Sequence, residues 1–153
     1  EGQPFPVLDV DEHLGPPLPS ADSLNGKVVI AFFWAHWCPD CKRQLPALEQ
    51  LHETYGDKLA IIGPTQLYGY VSRGEDATPE QELAYLRGAY QERFPIPEWM
   101  SVPISQTNFL DFGVSTTPTL VVIDTEGIVR LYNPGDLPYE ELEPTVKRLV
   151  EAA

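Results

Sequence analysis

The chain has 153 residues, a mass of 17.1 kDa and a formal net charge of −13 from 10 basic and 23 acidic side chains. That size suits one globular domain burying roughly 70% of its unfolded surface, and the acidic excess opposes nucleic-acid phosphates and anionic lipid surfaces. The longest apolar run, residues 28–35, is far shorter than the about 20 residues of a membrane span.

Residues 1–26 contain Pro4, Pro6, Pro16, Pro17 and Pro19 and read as short extended pieces and turns over a core, ending in the turn Asn25-Gly26. The start at Glu1 rather than Met is what a mature fragment with a removed leader would show. Residues 28–34 are β-branched and aromatic without alternation, the pattern of a strand buried on both faces of a parallel or mixed sheet. A helix is expected over 39–55, with Leu45, Leu48, Leu51 and Tyr55 near helical spacing and Gly56 as its stop. Residues 59–63 form a second short buried strand, and 64–78 a polar loop. Thr78-Pro79-Glu80-Gln81 then supplies an N-cap, a first-turn proline and a glutamine at N3 for a helix reaching about residue 93. Leu83, Leu86 and Tyr90 share its apolar face, and Glu75, Asp76, Glu80 and Glu82 read as its solvated start. Pro95, Pro97 and Pro103 surround irregular chain with a short strand near Val102, and Thr107 caps a short helix over 109–112. Residues 120–124 and 128–132 pair as a hairpin around Thr125-Glu126-Gly127. The last helix starts near Tyr139 and aligns Leu142, Val146, Leu149 and Val150. The order β-α-β, α-rich insertion, β-β-α describes an α/β domain with a mixed sheet.

The chemistry concentrates in Trp37-Cys38-Pro39-Asp40-Cys41, where the first buried strand gives way to a helix. With Cys38 at the N-cap, Pro39 takes N1, where its missing N–H costs nothing, and Cys41 falls at N3. The Cys38 sulfur then meets free backbone N–H groups and the positive end of the helix dipole, which stabilise a thiolate below the ordinary ~8.5. Lys42 and Arg43 add positive charge. The spacing implies an exposed reactive thiol and a sheltered resolving thiol, suited to thiol–disulfide exchange through a mixed disulfide. A zinc site needs four ligands; no further cysteine exists, and His13, His36 and His52 are not at ligand spacing, so no metal is expected. A purely structural disulfide closing so short a loop would stabilise little.

The motif, its position and the later run Val114-Ser115-Thr116-Thr117-Pro118-Thr119-Leu120 resemble the thioredoxin fold, and within it the extracytoplasmic TlpA/ResA-type oxidoreductases. Asn25-Gly26-Lys27 resembles the family's turn before the central strand. Phe33-Trp34-Ala35-His36-Trp37-Cys38 resembles its approach to the motif, and Pro46 its helix-kinking proline. The resemblance implies a three-layer α/β/α sandwich with a mixed central sheet, formed by one domain over 1–153. Residues 1–26 would be an N-terminal extension and 64–107 an α-rich insertion. It also implies a cis Thr117-Pro118 peptide facing the cysteines, where an open strand lets a substrate backbone pair beside Cys38. Cys38 and Cys41 would be the catalytic pair, supported by Trp37, Pro39, Asp40, Thr117 and Pro118.

Two departures bear on mechanism. Phe32 stands where relatives often carry a buried acid six positions before the first cysteine, and Gln44 where ResA-like members often carry a glutamate six positions after it. Neither accepts a proton at neutral pH, which leaves Asp40 and His36 as the nearby ionisable groups. Asp40 suits the helix start, yet its charge beside a thiolate should raise the Cys38 pKa and make the pair more reducing. His36 is expected as a partly exposed loop side chain. The reading is a thiol–disulfide oxidoreductase without a cofactor. It would act as a reductant on protein disulfide or dithiol partners in an extracytoplasmic compartment, recharged by a membrane thiol donor. Two alternatives remain at this point. A peroxiredoxin-like peroxidase would want a threonine where Ala35 stands, and a binding protein would leave the cysteine pair inert.

Overall fold

A computed structural model describes residues 2–153. Six strands form one mixed sheet in the order β1-β4-β3-β2-β5-β6. They are β1 (Glu12–Leu14), β2 (Val28–Phe33), β3 (Leu59–Ile62), β4 (Met100–Ile104), β5 (Thr119–Ile123) and β6 (Val129–Pro134). The helices are α1 (Ala21–Leu24), α2 (Pro39–Tyr55), α3 (Pro79–Arg87), α4 (Ala89–Arg93), α5 (Gln106–Phe112) and α6 (Tyr139–Glu151).

All six residues of β2 are buried, because helices or loops cover both faces of the sheet. Val28, Ile30 and Phe32 face a core completed by Leu48 and Leu51 of α2, Leu86 of α3, Tyr90 of α4, and Leu142 and Val146 of α6. Val29, Ala31 and Phe33 face the opposite core with Phe109 of α5, and with Phe5, Leu18 and Leu24 from the N-terminal stretch. This alternation produces three layers. β2 and β3 run parallel with α2 as their crossover, while β5 returns antiparallel to β2 and β6 antiparallel to β5.

The elements expected from the sequence form, with four differences. The N-terminal stretch is more than a cover: β1 pairs antiparallel with β4 and makes a sheet edge, and Ser20 caps the short α1. The helix after Thr78 has its capping box but breaks at Gly88, whose φ of −112° and ψ of −99° are not helical, into α3 and α4. α5 begins earlier than expected, because Ser105 rather than Thr107 is its cap: Ser105 Oγ accepts the Thr107 N–H at 3.2 Å and donates to Asp9 at 2.7 Å. The second hairpin strand is shifted toward Pro134, with a register irregularity at Val122/Ile123. Gly113 ends α5 at a φ of 67°, a left-handed position that a glycine takes without steric cost.

Candidate active site at the head of helix α2

β2 runs through residues 34–37 directly into α2. Trp34 is held on three sides: its backbone N–H donates to Pro64 O at 3.2 Å, its carbonyl accepts the Thr65 hydroxyl at 2.7 Å, and its indole N–H donates to Gly63 O at 2.9 Å. A Cβ at Gly63 would lie 2.8 Å from the Met100 sulfur, so a larger residue there would require the Met100 side chain to shift. Cys38, with extended backbone angles, is the N-cap, and its Sγ accepts the Cys41 N–H at 3.1 Å. Pro39 and Asp40 occupy the first helical positions. The side chain thus satisfies one of the orphan amides of the helix start.

Cys38 and Cys41 form a disulfide with a Cα–Cα distance of 5.3 Å. The Thr117–Pro118 peptide is cis, and the Thr117 carbonyl oxygen lies 3.5 Å from Cys38 Sγ. The 116–119 turn is pinned by the Thr119 hydroxyl donating to Thr116 O at 2.7 Å, and by Gly135 N–H donating to Pro118 O at 2.7 Å. Trp37, Pro39, Asp40, Thr117 and Pro118 therefore all lie on the elements that surround the disulfide.

Cys38 is not the exposed thiol expected from the motif: Cys38 and Cys41 are 3% and 2% exposed. Trp37, 46% exposed, takes the surface position instead and packs edge-on against Tyr68 with ring centroids 5.5 Å apart. A groove of about 230 Å³ runs between Trp37, Gln66 and Tyr68 on one side and residues 114–117 on the other. The Thr117 and Tyr68 hydroxyl oxygens beside this groove are buried and have no hydrogen-bond partner among the described residues. Asp40 forms an ion pair with Arg43 one turn along, both exposed, which offsets its charge near Cys38. Gln44 is buried and tied to the segment before α6: its amide donates to Leu137 O at 2.9 Å and its carbonyl accepts Leu137 N–H at 2.7 Å. A neutral side chain serves this two-armed bond, whereas a carboxylate only accepts.

The sequence reading misplaces two side chains. Glu82 is not part of a solvated helix start. It is fully buried, accepting Tyr68 N–H at 2.8 and 3.0 Å, Gly69 N–H at 2.9 Å and the His36 ring at 3.2 Å. His36, 5% exposed, is not a loop side chain in water; its ring sits among those of Tyr68, Tyr70, Tyr85 and Tyr90. Glu82 is four residues before Leu86, in phase with the buried face of α3, and that phase was the available signal. A carboxylate with no exposure is tolerated here because two backbone donors and an imidazole replace its water. Burial pushes the His36 imidazole below its ordinary 6.5, with the Glu82 charge and hydrogen bond opposing. Among the described residues no cluster of His, Cys, Asp and Glu has the form of a metal site.

A family model described as thioredoxin-like matches residues 25–129. The thioredoxin-like protein YneN of Bacillus subtilis (strain 168) is 28% identical over 143 residues, covering 94% of this chain and 76% of that protein. The thiol:disulfide interchange protein DsbE of Xylella fastidiosa (strain Temecula1 / ATCC 700964) is 29% identical over 143 residues; the match covers 93% of this chain and spans 65% of DsbE. Among solved structures, a thiol-disulfide isomerase from Corynebacterium glutamicum superposes with a TM-score of 0.77 at 21% identity, over 96% of each chain. At that identity the match speaks for the fold.

Two outcomes follow from the Glu82–His36 pair. Glu82→Met should unfold more easily by about 2–3 kcal/mol, since it removes the carboxylate that accepts the Tyr68 and Gly69 amides. In hydrogen exchange, its Tyr68 and Gly69 amides should open at least about tenfold faster; unchanged protection of those two would refute the anchoring role. Separately, the lowered His36 value means that the unfolded chain binds more protons just below pH 6.5. The His36 contribution to stability is therefore complete above pH 6.5 and is lost as pH falls from there toward its folded value. Urea unfolding across pH 5 to 7.5 should show a slope that His36→Gln reduces.

Proposed function

The chain belongs to the thioredoxin-like family, and from that premise we propose that it is a thiol–disulfide oxidoreductase that reduces protein disulfides through Cys38 and Cys41. The observation that carries this reading is the disulfide at the mouth of α2, with Cys38 Sγ accepting the Cys41 N–H and the Thr117 carbonyl beside it.

In the reduced chain, the same N–H and the helix start stabilise the Cys38 thiolate. That thiolate attacks one sulfur of a partner disulfide; a Cys38–partner bond forms and the second partner sulfur leaves as thiolate. The departing thiolate takes the Cys41 proton. Cys41 then attacks Cys38 Sγ, the partner leaves with two electrons, and the Cys38–Cys41 bond closes. No cofactor enters these steps. The partner disulfide would lie in the groove beside Trp37, with its backbone against residues 115–117. Resetting the pair needs a dithiol donor, for which we propose a membrane thiol protein in an extracytoplasmic compartment. Among the described residues no helix is long and apolar enough to cross a membrane. We read residues 1–153 as one domain with 1–26 as an extension and 64–107 as an insertion; β1 and β4, drawn from these two stretches, complete the same sheet.

Equilibration against glutathione should show a reversible two-electron couple. Cys41→Ser should accumulate mixed disulfides with partner proteins, which Cys38→Ser does not. Equal trapping by both variants, or a pair that glutathione and dithiothreitol leave oxidised, would remove the reading. Peroxide consumption without disulfide exchange would favour the peroxidase alternative, against which Ala35 already stands.

Asp40→Asn should move the potential upward, because the thiolate loses a negative neighbour. The shift should be on the order of 10 mV, since the Arg43 pair already offsets an exposed charge. A potential equal to or below that of the unchanged chain would contradict a reducing role for Asp40.

A further inference from the structure

A second cavity, of about 260 Å³, shares no lining residue with the groove beside Trp37. It lies between α2 and α4 and is lined by Phe32, Trp34, Cys41, Tyr90, Phe94 and Met100. Its volume exceeds the ~150 Å³ of an apolar cavity that takes benzene. The floor is buried: Phe32, Trp34, Cys41 and Met100 have almost no exposure.

The lining also includes Lys42, half-buried, and Arg93, exposed, which places two cations at the mouth. Both stand over one ring: Lys42 Nζ is 3.9 Å and Arg93 Cζ 5.2 Å from the centroid of Phe94. Among the described residues only Arg43, Arg87 and Arg130 of the ten basic side chains meet a carboxylate, and Lys42 and Arg93 are among the seven that do not. Burial, and then the neighbouring Arg93 charge, hold the Lys42 ammonium below its ordinary value.

We infer that this cavity binds a small organic monoanion with an apolar or aromatic body, its charged group seated between Lys42 and Arg93. A neutral guest would leave the two cations repelling each other, and a cationic guest would add to that repulsion. An inorganic anion would gain nothing from the aromatic floor. The adjoining outer groove carries Glu49 and Glu98, so the anionic end has its favourable seat at the inner mouth. Binding here is read without thiol exchange and stands or falls separately from the redox function.

The probe is phenylacetate, titrated into the full oxidised chain beside phenylacetamide and benzylammonium, and followed by amide and indole NMR shifts. Phenylacetate should bind saturably, with shifts centred on Trp34, Tyr90 and Met100. Its affinity should exceed that of phenylacetamide by about tenfold, as one charge-assisted contact gives, with benzylammonium weakest. Lys42→Met keeps the apolar stem and should abolish the preference for acid over amide. Ile96→Trp should fill the cavity and abolish binding of all three. Equal affinity for acid and amide in the unchanged chain, shifts that avoid the cavity, or no saturable phenylacetate binding would overturn the inference.

Discussion

The site depends on β2 being buried along its whole length. Helices cover one face of the sheet, and α5 with the N-terminal stretch covers the other, so the strand has no freedom to slide or twist out. A one-residue slip would exchange Phe32 and Phe33 between two packed cores. Fixing β2 fixes where α2 starts, and α2 starts on Cys38. The three bonds around Trp34 extend that constraint through the short link. Reactive sulfur chemistry is thereby mounted on a junction anchored in the buried sheet, while the turn carrying Thr117 approaches from β5, the neighbour of β2 in the sheet.

The segment between β3 and β4 turns this junction into a shaped surface. Glu82 reaches inward from α3 and takes the backbone amides of Tyr68 and Gly69, and Tyr68 in turn packs on Trp37. One buried carboxylate thus links a helix, a loop and the wall of the groove. Such a group is costly unless every lone pair is used, and that requirement makes the geometry unique. His36, two residues before Cys38, completes the set and ties it to the motif. Tyrosine rings around the imidazole exclude water, which is why its charged form is disfavoured despite the adjacent carboxylate.

Two hollows of different character lie near the disulfide. One is the groove lined by Trp37, Tyr68 and residues 114–117, whose Thr117 carbonyl lies 3.5 Å from Cys38 Sγ. Toward α4, Cys41 borders an aromatic cavity with two cations at its mouth. Both sulfurs have low exposure, so a partner disulfide reaches Cys38 only by displacing what covers it.

The local features were legible in the sequence because they depend on neighbours along the chain. The β-branched run of β2, Cys38 and Pro39 at a helix start, the Thr78–Gln81 capping box and the hairpin around Gly127 each rest on a few adjacent residues. Their order described an α/β domain with a mixed sheet, and the resemblance of the Cys38–Cys41 motif and residues 114–120 carried the thioredoxin-like architecture. What only the tertiary structure decided involves partners far apart in sequence. Residues 12–14 read as cover until β4 offers them an edge, and Glu82 reads as solvent-facing until the amides of 68 and 69 arrive to receive it. Cys38 reads as exposed until the tertiary fold buries it beside the Thr117 carbonyl. Burial of a polar or charged group is a property of what surrounds it, and a linear pattern carries no record of which distant backbone groups will take the place of water.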